Sequence, residues 1–73
     1  MADLIDLREA AGYSQEGLGL LVGVPRETIG SWENGIHIPN TGRLTPLARA
    51  LDVSVTDICS ALAETIRLSA YEL

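Results

Sequence analysis

The sequence predicts an all-α domain built from five short helices. Three observations carry this. First, apolar residues recur at helical spacing in five separate stretches: Leu4–Leu7–Ala11, Leu18–Leu21–Val22, Ile29–Trp32, Leu47–Ala50–Leu51 and Val55–Ile58–Cys59–Leu62–Ile66. Second, capping and breaking residues stand between those stretches: Asp3, Gly12, Ser14, Gly23, Pro25 and Asn34-Gly35. Third, 73 residues make one small domain, without internal repeats or low-complexity segments.

The first helix is expected from about Leu4 to Ala11, with Asp3 as its N-cap, acidic Asp6 in the first turn and Gly12 ending it. Leu4, Leu7 and Ala11 form its buried stripe, with Ile5 at the edge. Ser14 caps the second helix, which runs from Gln15 and Glu16 to Val22. Gly17 is a poor helix former, so this helix depends on packing. Gly23 follows, where the chain must turn sharply, and glycine enters the left-handed region without a side-chain clash. Gly19, four residues earlier, faces the next helix and lets the two approach. Leu18, Leu21 and Val22 are expected to face Ile29 and Trp32, with Val24 under the turn.

The third helix begins near Pro25, at Arg26, and is stopped by Asn34-Gly35. Residues 35 to 44 read as a loop holding Pro39 and Gly42. The fourth helix is expected to start with Thr45 as cap and Pro46 in the first position, because an earlier start puts a proline inside the helix. Asp52-Val53 is a short link. Ser54 or Thr56 opens the fifth helix, whose apolar pattern extends to Leu73.

The stretch from Gln15 to Trp32 organises the chain, and its outward face bears on function. Arg26, Glu27, Gly30, Ser31 and Asn34 fall on one side of the third helix. Polar side chains on a rigid exposed helix can read base edges in a DNA major groove. In register, Gln15, Gly19, Gly23, Ile29, Trp32, Glu33-Asn34-Gly35 and Pro39 resemble the helix-turn-helix of the Cro/phage-repressor (Xre-type) family. Leu7-Arg8-Glu9-Ala10 with Gly12-Tyr13-Ser14 extends the resemblance upstream. Leu47-Ala48-Arg49-Ala50-Leu51 extends it downstream, so that it covers residues 4 to 58. It implies a five-helix, lambda-repressor-like helix-turn-helix fold and binding to double-stranded DNA.

Arg26 is the leading base-contact candidate, since a guanidinium donates two hydrogen bonds to guanine O6 and N7. The alternative is a solvated arginine, or one paired with Glu27. Glu27 can accept from cytosine N4 or only orient Arg26. Ser31 contacts any base, and Gly30 either lets DNA come close or is tolerated surface drift. Backbone-contact candidates are Thr28, Asn34, the amide of Gly35, Thr41 and Arg43, because phosphate contacts fix register on a duplex. His37 lies in the same loop and is as readily explained by exposure. The resemblance adds two expectations: Gln15 contacts a phosphate and supports the recognition helix, and Arg8 and Glu33 form an internal ion pair.

Composition limits the other classes. One histidine, one cysteine and no dense carboxylate cluster give no metal-ligand spacing, and no cofactor is implied. No activated nucleophile and no phosphate-cradling glycine loop stand out, so an enzyme is not expected. Cys59 excludes an internal disulfide and is expected at a core or interface. Apolar residues make up 47% of the chain without a run long enough for a bilayer, and the start carries acids where a secretion signal is basic. The expected location is therefore cytoplasmic.

The charge argues the other way. Ten acidic residues stand against five arginines and no lysine, a net charge of −5, whereas DNA-binding domains are usually basic. The reading that follows is a transcriptional regulator, a repressor, that binds a partly palindromic operator as a homodimer through its third helix. Ile58, Leu62 and Ile66 of residues 54–73 are the expected dimer contacts. The alternative is an antitoxin or an adaptor that binds a protein partner through the same acidic fold.

Overall fold

The computed structural model describes residues 2–71, with side chains through Arg67. Five helices follow in order: α1 Leu4–Ala11, α2 Gln15–Val22, α3 Arg26–Glu33, α4 Thr41–Leu51 and α5 Val55–Tyr71. No strand occurs among the described residues.

Local hydrogen bonds set the boundaries. Asp3 and Asp6 form a reciprocal box at the start of α1: the Asp6 amide donates to the Asp3 carboxylate at 3.0 Å, and the Asp3 amide to Asp6 at 3.1 Å. Ser14 Oγ accepts from the Gly17 amide at 2.9 Å, which fixes the start of α2. Gly23 ends α2 at φ 87°, and its amide returns to the Gly19 carbonyl. A β-carbon built on Gly19 lies only 2.5 Å from the carbonyl oxygen of Val24. The glycine is therefore what allows the backbone entering α3 to pass this close to α2. Pro25 stands at the N-cap of α3, one residue outside the helix, and its carbonyl accepts from Thr28 and Ile29.

The fourth helix corrects the sequence reading. It starts at Thr41, inside the expected loop, and carries Pro46 in its interior. The cap is Asn40, whose side chain accepts from the Arg43 amide at 3.1 Å. A proline at this position removes one hydrogen bond, the one to the Gly42 carbonyl. Gly42 is exposed, so water can meet that carbonyl. The Asn40 cap and the burial of Leu47, Ala48 and Leu51 outweigh the lost bond. Asp52 then leaves the helix in the left-handed region at φ 56°. Ser54 opens α5, exchanging two hydrogen bonds with Asp57 at 3.2 and 3.0 Å, while Thr56 lies within the helix. The expected continuation to Leu73 reaches Tyr71; Glu72 and Leu73 lie outside the described residues.

Each helix contributes one large, fully buried side chain: Leu4, Leu18, Ile29, Leu47 and Ile58. Val22, Trp32, Leu51 and Leu62 complete the centre. Two inward faces differ from expectation. Leu21 is 55% exposed, because Gly19 draws α3 against the Leu18–Gly19–Val22 side of α2. On α5 the buried residues are Ile58, Ala61, Leu62, Thr65 and Glu64, the last paired with Arg67 at 2.7 Å, while Val55, Cys59 and Ile66 face outward. Thr65 enters the core because its hydroxyl donates to the Ala61 carbonyl at 3.0 Å. Among the described residues, no helix is long and apolar enough to cross a membrane.

Candidate nucleic-acid interface

Three features position the outward face of α3. The turn at Gly23 and the close approach at Gly19 lock α3 onto α2. Ile29 and Trp32 bury its inner side. A polar network then fixes its far end. Arg8 Nε donates to Glu33 Oε2 at 2.6 Å, Arg8 Nη1 to the Tyr13 carbonyl at 2.9 Å, and Gln15 Nε2 to Glu33 Oε1 at 2.8 Å. Both carboxylate oxygens of Glu33 are thereby satisfied, which allows a charge to be buried at the end of the helix.

Gln15 occupies more of this network than the sequence suggests. Its amide spans from the first turn of α2 to Glu33 and passes over Gly30, so that a β-carbon at Gly30 falls 3.6 Å from Gln15 Nε2. Gly30 is half-buried beneath this amide. The 3.6 Å distance is an ordinary contact, so Gln15 leaves room for a methyl at Gly30.

The remaining candidates divide by exposure. Arg26 and Glu27 stand exposed in the first turn of α3, 3.4 Å apart, with 66% and 74% of their side chains accessible. A backbone hydrogen bond at Glu27, then the Arg26 side chain, hold the Glu27 carboxyl below its usual range. Asn34 is exposed at the C-cap of α3, and Thr41 is exposed at the first position of α4. Thr28 and Ser31 are half-buried, as is Gly35, which takes φ 73°. His37 is exposed in the following loop.

Arg43 has an internal role as well. Its Nη1 donates to the Val22 carbonyl at 3.0 Å, which ties α4 to the last turn of α2. The acceptors at Val22 and Tyr13 are backbone atoms, and sequence reasoning missed both because any residue type supplies a carbonyl. Ile58 and Leu62, expected at a dimer contact, lie in the core of the monomer, and only Ile66 of that trio is exposed.

The exposed turn-bounded helix, the glycine contact beneath it and the buried Arg8–Glu33 pair fall together within one matched segment: residues 4–58 match the helix-turn-helix family. The chain belongs to the helix-turn-helix family. This helix-turn-helix chain is 36% identical over 53 residues to a Bacillus subtilis (strain 168) protein, the "Uncharacterized HTH-type transcriptional regulator YgzD", covering 73% of this chain and 80% of that one. No solved structure matches the helix-turn-helix chain significantly.

Proposed function

We propose that the chain is a sequence-specific DNA-binding transcriptional regulator of the cytoplasm, acting as a repressor. The observation that carries this is the face of α3: exposed Arg26 and Glu27 at its start and Asn34 at its end, on a helix clamped to α2 by the Gly19 contact. The helix enters the major groove. Arg26, Glu27 and Ser31 meet base edges, while Gln15, Thr28, Asn34, the Gly35 amide and Thr41 lie toward the phosphates. Arg43 adds to this grip with the donors that Val22 does not use. Two copies read a partly palindromic operator with half-sites about one helical turn apart. The exposed apolar residues Val55, Cys59 and Ile66 on α5 supply the surface for that pairing.

Selection of bound sequences from random duplexes tests the reading. Enrichment of a half-site repeated with two-fold symmetry is the expected result, and recovery of unenriched DNA at every salt concentration overturns it. One observation favours a second reading, the antitoxin or adaptor. With a net charge of −5, the chain also exposes Leu20, Leu21, Ile36 and Ile38, of which Leu20 is 80% accessible.

A further inference from the structure

Away from α3, the C-terminal half of α2 and the outer side of α4 enclose a shallow depression of about 430 Å³, lined by Tyr13, Leu21, Pro46, Arg49 and Ala50. A second depression lies beside it between α1 and α4, sharing Tyr13 and Ala50 and lined also by Leu7, Ala11, Asp52 and Val53. No residue of α3 lines either one, and the groove at Arg49 holds no carboxylate, whereas Asp52 lines its neighbour.

The charges mark this groove out. Arg8 is bonded to Glu33, Arg26 to Glu27, Arg43 to the Val22 carbonyl and Arg67 to Glu64. Arg49 is exposed, and among the described residues it is the one arginine whose side chain has no hydrogen bond or ion pair. A chain with ten acidic residues thus leaves a cation unanswered beside an apolar shelf. The shelf itself includes Leu21, which is 55% exposed although it lies within an apolar helix segment. A guanidinium beside exposed Leu21 and the half-buried Pro46 and Tyr13 matches a carboxylate adjoining an apolar side chain.

We propose that this groove docks a short acidic–apolar segment of a partner protein. The partner's carboxylate pairs with Arg49, and its neighbouring leucine-like side chain packs on Leu21, Pro46 and Tyr13. Because α3 stays uncovered, the partner binds while the recognition face remains open. The docking does not depend on the DNA reading, since it uses none of the residues assigned to it.

Short random peptides displayed on phage are selected on the wild-type chain and counter-selected on Arg49→Glu. Leu21→Glu serves as a second variant. Both side chains are exposed, and circular dichroism and the thermal midpoint check that the variants keep the fold. The expected peptides carry Asp or Glu near Leu, Ile or Phe, and bind about tenfold more weakly to Arg49→Glu. Exchanging the peptide's acid for lysine should restore binding to Arg49→Glu, a result that lost folding cannot give. Selected peptides that bind both variants as well as wild type overturn the proposal. So does a failure to enrich any peptide. If either variant instead loses operator affinity, the groove is part of the DNA surface. If peptide-free amide spectra shift at the groove with protein concentration, its occupant is a second copy. Each of these two results overturns the proposal as well.

Discussion

Arg8 in α1 and Glu33 in the last turn of α3 meet at 2.6 Å, with the Glu33 side chain 2% exposed and that of Arg8 14% exposed. The contact joins residues 25 positions apart. Because Arg8 also holds the Tyr13 carbonyl and Gln15 holds Glu33, the pair fastens α1, the turn after it, α2 and α3 at one point. The end of α3 is thus held by a buried ion pair in addition to its apolar packing.

Removing one partner should therefore cost more than removing both. Glu33→Gln strands a half-buried guanidinium, and Arg8→Met leaves a buried carboxylate with Gln15 alone. Each single change is expected to cost about 3–5 kcal/mol, and the double replacement less than either one. Urea denaturation of the four proteins in the cycle measures this. Strictly additive losses would show that the two side chains are energetically independent.

Two glycines should respond oppositely to alanine. At Gly19 the new methyl meets the Val24 carbonyl at 2.5 Å, a backbone atom that cannot move without opening the turn. A loss of about 1–3 kcal/mol is expected. At Gly30 the methyl meets the Gln15 amide at 3.6 Å, an ordinary contact with a movable side chain. Gly30→Ala is expected to gain up to about 1 kcal/mol from helix propensity. Thermal midpoints of the two variants decide it. A destabilised Gly30→Ala would mean that Gln15 tolerates no neighbour there.

These sites also show what the sequence makes legible. The turn at Gly23, the close approach at Gly19 and the inward Ile29 and Trp32 follow from residue type and spacing, because glycine and apolar periodicity are local signals. The start of α4 does not follow. Pro46 is a strong local signal against a helix interior, and it is overridden by the Asn40 cap and by burial, which only the tertiary structure reveals. The stripe on α5 departs from its apolar pattern for a related reason. Ala61 and Thr65 look neutral in sequence, yet they face the core, and this turns Val55 and Ile66 outward. Arg43 and Gln15 carry polar groups that suit phosphate, and nothing in the sequence shows that Val22 and Glu33 take some of those donors.

Arg26→Ala tests the recognition face. If Arg26 reads a base, discrimination at one operator position should fall by roughly 1–3 kcal/mol. Loss spread evenly over all sequences would make Arg26 a phosphate contact, and unchanged binding would remove it from the interface.

Salt dependence should be shallow for a dimer of this fold. Of five arginines, Arg8 is buried against Glu33, and Arg67 is paired with Glu64 on α5. The estimate is about four to six phosphates neutralised per dimer, which gives a log–log slope of about −4 to −5. A slope near about −10 would require a basic surface beyond these side chains.

The dimer prediction turns on which side of α5 is free. Val55, Cys59 and Ile66 lie within an arc of about 40° at 3.6 residues per turn. All three are exposed, Val55 at 39% and Ile66 at 42%. Among the described residues, no charged side chain interrupts them on that face: Asp57 and Glu64 lie on the opposite side of the helical wheel and Arg67 about a quarter-turn away. A two-fold partner offers the same strip in return. Leu62 sits at its edge but is only 7% exposed and belongs to the monomer's core. The two kinds of residue should therefore fail differently. Leu62→Glu places an unpaired carboxylate among Leu4, Ile29 and Leu47 and should unfold the chain. Val55→Glu with Ile66→Glu changes exposed positions only and should leave the helical circular dichroism intact. In sedimentation this double variant should run as a folded monomer, with operator affinity reduced because each half-site must then be bound separately. A double variant that stays dimeric would move the interface off this strip, and the 51–56 link would be the next place to substitute.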